Sequence, residues 1–167
     1  MVDDGHAAAT ARRVAAVAEV TPAAVMFYFG SIEALYVALV RRRGEQQRER
    51  YRRALSSARP LTDLWRVSSD RSGARLLTEL QALAQHREAV RAEFVRWADE
   101  FRSAQVEALA RQPSGYEVDG MPIEPAVVAS LIAYLARAMV VEEDLGIGVG
   151  VAESRAFVER LIARLEP

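Results

Sequence analysis

Apolar residues recur at helical spacing along almost the whole chain, and strict alternation of the strand type is absent. Val14, Val17 and Val20 form a first short stripe with Ala15, Ala16 and Ala18 between them, a pattern that turns three valines inward and leaves room for a close helix crossing. Thr21-Pro22 restarts the helix, because a threonine hydroxyl caps backbone N–H groups and proline suits the first helical position. The second helix is expected from Pro22 to Tyr28, with Gly30 ending it and Ser31 and Glu33 opening the next. Residues 31–58 read as one long helix, apolar at Ile32, Leu35, Leu39 and Val40 and then strongly charged through R-R-R-G-E-Q-Q-R-E-R. Glu45, Glu49 and their flanking arginines offer pairs of opposite sign three and four residues apart.

Beyond Arg59-Pro60 the pattern gives a short helix over 61–67, a polar break at 68–73 and a helix over 74–85 striped by Leu76, Leu77, Leu80 and Leu83. A second long helix follows over 88–111. The stretch 112–125, with three prolines and two glycines, reads as an irregular connector or a cover beside a pocket. Residues 126–145, A-V-V-A-S-L-I-A-Y-L-A-R-A-M-V-V-E-E-D-L, form the most apolar helix, judged too short and too interrupted by Arg137 to span a membrane. Gly146, Gly148 and Gly150 make a turn before a last amphipathic helix over 152–165, apolar at Phe157, Leu161, Ile162 and Leu165. Two adjacent helices of this kind can pair with their symmetry mates as a four-helix interface. The fold class is therefore all-α.

The run V-A-x-x-A-x-V-T-x-x-x-x-x-x-Y-F-x-S-x-E-x-L, from Val14 to Leu35, resembles the helix-turn-helix of the TetR (tetracycline-repressor-like) family of bacterial transcriptional regulators. The resemblance implies a partial helix-turn-helix DNA-binding domain over residues 1–40 and a helical ligand-binding and dimerisation domain over 41–167. By that resemblance Thr10 would bind phosphate, Thr21, Pro22, Ala23, Ala24 and Phe27 would lie at or near the major groove, and Tyr28 would add a phosphate contact. It implies a DNA operator and a small-molecule effector as partners, a homodimer through the C-terminal helices, and a repressor released from its operator by an apolar ligand. Trp65, Phe94, Trp97, Phe101, Tyr116 and Tyr134 are the candidate pocket residues, each also a plausible plain core residue.

The sequence departs from the family pattern in places that bear on DNA. The family's first helix has no counterpart in the nine residues before Thr10. Glu19 stands where a turn glycine is usual, a substitution that costs about 1 kcal/mol if the left-handed geometry persists. Met26 replaces a phosphate-contacting tyrosine, and Ile32 a lysine that meets the backbone. A TetR-derived ligand-binding or dimerisation module that no longer reads DNA is thus the alternative reading.

Composition narrows the choice. All 22 basic residues are arginine, and cysteine is absent, which excludes disulfides, thiolate metal sites and cysteine nucleophiles. Residues 1–53 hold nine arginines against six acids, a balance of +3, while the remainder holds thirteen against seventeen, or −4. A mildly basic head on an acidic body fits a DNA-reading end. No secretory leader is recognisable, so a cytoplasmic location is expected. No enzyme, cofactor or metal is expected. The nucleophile and phosphate-loop motifs are missing, G-I-G-V-G at Gly146 to Gly150 follows a helix and not a strand, and Glu142-Glu143-Asp144 reads as a solvated run. Neither His6, in a polar terminus, nor His86, at a helix end, has ligand spacing.

Overall fold

The computed structural model describes residues 9–166; His6 lies outside them. Eight helices occur among the described residues: α1 (Ala11–Val17), α2 (Pro22–Phe29), α3 (Ile32–Leu55), α4 (Pro60–Ser68), α5 (Arg71–His86), α6 (Glu88–Leu109), α7 (Pro125–Leu145) and α8 (Val151–Leu165). The all-α reading holds, with one correction. Residues 112–125 contain a small antiparallel hairpin, β1 (Glu117–Val118) and β2 (Met121–Pro122), in which Glu117 faces Pro122 and Val118 faces Met121. Its two-residue loop, Asp119-Gly120, takes φ of 51° and 83°, as a type I′ turn demands of both positions. The strands are too short for an alternating pattern to register, and Asp-Gly is the signal that marks them.

Local chemistry explains most helix ends. The Thr10 hydroxyl accepts from Arg13 N at 3.3 Å, Thr21 from Ala24 N at 3.1 Å and Ser31 from Ala34 N at 3.0 Å. Glycines at positive φ end α2 (Gly30, 76°) and α7 (Gly146, 79°). The polar break after α4 is shorter than the sequence pattern implies, because Asp70 accepts from Gly73 N at 3.1 Å and starts α5 at Arg71. Burial pushes the Asp70 carboxyl up, but bonds from Ser72, Arg50 and the Gly73 backbone outweigh it and hold the group below its ordinary value.

The chain divides into two compact units. The first comprises residues up to Gln46 together with Arg75–Ala98, the second Gln47–Ala74 together with Asp99 onward. The first unit is built on Tyr36, Val40, Leu80, Leu83, Ala84 and Val90. Within it α3 and α6 approach so closely at Gly44 that a Cβ there would overlap the Trp97 indole. Buried Glu93 on α6 accepts from Arg41 of α3 at 3.1 Å and from its own neighbour Arg96. The Arg41 bond, ahead of the cost of burial, holds the Glu93 carboxyl below the usual range.

The second unit packs α4, α7 and α8 around Leu61, Leu64, Trp65, Leu109, Tyr116, Ile132, Met139, Val158 and Ile162. Here α7 corrects a second expectation. With Pro125 as its first residue it is 21 residues long, and by length and composition alone it could cross a bilayer. Its Val128, Ala129, Ile132, Ala136, Met139 and Val140 are instead buried in this protein core. The N-terminus of α4 is capped from a distance. Arg59 provides no side-chain cap; the carboxylate of Glu166, 7% exposed, accepts from Leu61 N at 2.7 Å, Thr62 N at 3.0 Å and Thr62 Oγ1 at 2.7 Å.

Candidate functional site

The head of the first unit is a pair of short crossed helices. Ala15 of α1 and Val25 of α2 are both buried, and the small alanine lets the two backbones approach. The inward stripe read from the valines does not survive. Val17 is 82% exposed and Val20 is also exposed, because α1 ends at Val17 and Val20 falls in the turn. The turn itself is a Schellman closure: Glu19 takes φ 56° and Val20 N donates to Ala15 O at 3.0 Å. The geometry that favours glycine therefore persists at Glu19, together with its strain.

Closing the turn this way aims α2 outward. Of its eight residues only Val25 is buried, and Thr21, Pro22, Ala23, Ala24, Phe27 and Tyr28 are all exposed. Phe27 is 92% and Tyr28 82% exposed. An apolar helix that presents two aromatic rings to solvent is unusual for a helix that serves only its own core. Thr10 is exposed at the start of α1, so all seven sequence-nominated residues of this surface lie on the α1–α2 pair and are accessible. Met26 is exposed on the same helix, whereas Ile32 packs against the Tyr36 and Val40 core and offers nothing to solvent beyond a partial edge.

The arginines of α3 are largely engaged within the protein. Arg41 pairs with Glu93, Arg42 lies 4.0 Å from Glu45, and Arg52 and Arg53 both reach Glu49 at 2.9 Å and 2.7 Å. The bonds from Arg52, then Arg53, lower the Glu49 pKa to about 2. His86 ends α5 and lines a recess of about 530 Å³ with Thr10, Ile32, Tyr36 and Arg87, whose guanidinium sits 5.0 Å from the Tyr36 ring.

The six aromatic pocket candidates do not converge on one cavity. Phe94 and Trp97 meet at 5.4 Å within the first unit. In the second, Phe101 packs edge-on against Tyr51 at 4.3 Å, and Trp65 and Tyr116 are buried in the core. Burial, with the nearby Glu166 carboxylate, pushes the Tyr116 phenol above its ordinary value. Tyr134 is exposed on α7 between the guanidinium groups of Arg102 and Arg137 at 5.7 Å and 5.9 Å. The apolar groove of this unit, about 480 Å³, lies between α7 and α8 and is lined by Leu131, Leu135, Met139, Phe157 and Leu161, none of them nominated from the sequence as pocket residues. The 142–144 acids are not simply solvated: Glu143 binds Arg155 and Asp144 binds Arg71, each at 2.5 Å. Among the described residues no three histidine, aspartate or glutamate side chains gather as metal ligands do.

No family model and no curated protein matches the sequence. The structure aligns over 99% of this chain, and 92% of the other, with the crystal structure of a protein from Rhodococcus sp. provisionally described as a TetR-family transcriptional regulator, at a TM-score of 0.74 and 19% identity. The chain has the TetR fold. The two short helices that the Val14–Leu35 pattern predicts are α1 and α2. The remaining helices complete the same architecture, including those from α4 onward, for which the sequence offered helix lengths and no motif.

Proposed function

We propose that this chain is a ligand-responsive, DNA-binding transcriptional regulator of the bacterial cytoplasm, acting as a homodimeric repressor. The observation that carries the reading is the exposure of α2: one buried residue anchors it, and Thr21, Pro22, Ala23, Ala24, Phe27 and Tyr28 stand free on the outer side. A rigidly held short helix with a free face is what a major groove admits. Alanines and Phe27 can meet thymine methyl groups but read no hydrogen-bond pattern, so base discrimination is modest and phosphate contacts from Thr10 and Tyr28 set the register.

The dimer surface in this reading is the outer face of α7 and α8. Val127, Leu131, Tyr134, Leu135 and Phe157 are exposed there on adjacent helices, an apolar area that a second copy would cover as a four-helix interface. The effector would occupy the interior of the second unit, favouring a dimer whose two heads no longer match half-sites one helical turn apart. The Rhodococcus neighbour, described as a regulator, supports the assignment.

The test is fluorescence anisotropy of a labelled duplex from the chain's own promoter region, titrated with full-length protein at two salt concentrations. Salt-sensitive binding that Phe27→Ala abolishes without changing the melting temperature is expected. Binding of every duplex alike, or none at low salt, would reject it. The alternative is a dimerising ligand-binding module that no longer reads DNA. It draws support from the left-handed Glu19 and from Ile32, whose side chain belongs to a core and cannot replace a phosphate-binding cation. It is separated from the first reading by ligand binding and stable dimers in a chain that binds no duplex.

A further inference from the structure

Three buried polar atoms of the second unit lack partners, and two of them, on Gln47 and Gln105, lie one helical turn from the Tyr51–Phe101 contact. Gln105 on α6 is 1% exposed and Gln47 on α3 is 8% exposed, yet the Oε1 of each is buried with no hydrogen bond. The Ser69 hydroxyl is in the same condition. Gln47 lies one helical turn before Tyr51, whose ring meets Phe101 at 4.3 Å; Gln105 lies one turn after Phe101. Residues four apart share a helix face, so both amides flank the aromatic pair. The Tyr51 hydroxyl, 3.2 Å from Ser68 Oγ, ties in the neighbour of Ser69.

Buried polar atoms in folded proteins are nearly always paired, and an orphaned carbonyl destabilises the state that buries it. Leucine or methionine in their place would carry no such penalty. Two orphaned amide oxygens beside one aromatic pair fit a site whose donors arrive with a ligand. The surroundings define the rest of its chemistry. The lining is apolar and aromatic, and the buried carboxylate of this unit, Glu166, is already satisfied by Leu61 and Thr62. No buried charge remains among the described residues of the unit to balance an ionised guest.

We propose that the Tyr51–Phe101 cluster is the polar anchor of the effector site, taking a neutral, largely apolar molecule that presents N–H or O–H donors to Gln47 and Gln105. The proposal rests on the second unit being the effector-binding part. Calorimetric titration of the full chain with indole and with 1-methylindole, which differ in one donor, tests it. Indole is expected to bind about tenfold more tightly. In Gln105→Met the two should bind within about twofold of each other, and the unliganded variant should melt above the wild type. Equal affinities in the wild type, no binding of either compound at millimolar concentration, or a lower melting temperature in both Gln105→Met and Gln47→Met would overturn it. None of these measurements contains DNA, so failure of operator binding strikes the regulator assignment alone.

Discussion

Replacing Glu166 should loosen a helix 104 residues away in sequence. Its carboxylate accepts two backbone N–H groups and one hydroxyl at 2.7–3.0 Å, and Arg59 lies 3.9 Å off, so the start of α4 has no other side-chain cap. A lost helix cap costs about 1 kcal/mol, and hydrogen bonds to a charged acceptor contribute about 1.5–3 kcal/mol each without adding fully. Glu166→Ala is therefore expected to destabilise the second unit by about 3 kcal/mol, or about 6–12 °C in melting temperature for a chain of this size. Glu166→Gln, which keeps one acceptor oxygen, should lose about half as much. Urea denaturation followed by circular dichroism gives the magnitude, and amide exchange at Leu61 and Thr62 locates it. The double variant with Thr62→Val should show coupling of at least about 0.5 kcal/mol. A loss below about 0.5 kcal/mol, or strict additivity with Thr62→Val, would refute the distant cap.

Glu19→Gly should stabilise the head by about 1 kcal/mol, read as a higher denaturation midpoint, because φ 56° is free for glycine and strained for glutamate. Gly44→Ala should cost at least about 1–3 kcal/mol despite alanine's better helix propensity, since the new methyl group overlaps the Trp97 ring; a shift of tryptophan emission would accompany it. For Glu93 the bonds from Arg41 lower the folded pKa. Its contribution is thus complete above the ordinary glutamate value of about 4.3 and fades as pH falls through the lower folded value. Glu93→Gln should flatten that part of the acid limb in melting temperature against pH while leaving the slope above pH 6 unchanged.

Much of this fold was legible because its signals are local. Thr10, Thr21 and Ser31 cap the helices they precede, Pro22 begins one, and Gly30 and Gly146 end two; each acts within four residues of itself. The pair of short helices could be read for the same reason, since Thr21 to Tyr28 are placed by the turn beside them. Val17 shows the limit: periodicity says which side chains share a face, but only the packing of Ala15 on Val25 decides which face is buried.

What the tertiary structure alone decided involves partners far apart in sequence. Nothing near Arg59 announces that its helix will be capped by Glu166, and nothing in R-R-R-G-E-Q-Q explains a mid-helix glycine until the Trp97 indole is seated against it. Gln47 and Gln105 sit in charged stretches with nothing local to mark them as buried, yet they are 8% and 1% exposed, one turn from Tyr51 and Phe101. The apolar groove between α7 and α8 likewise has no mark in either helix alone. Caps and turns are written in a few consecutive residues, whereas burial is a property of the assembled neighbours, and the sequence specifies it only through the fold.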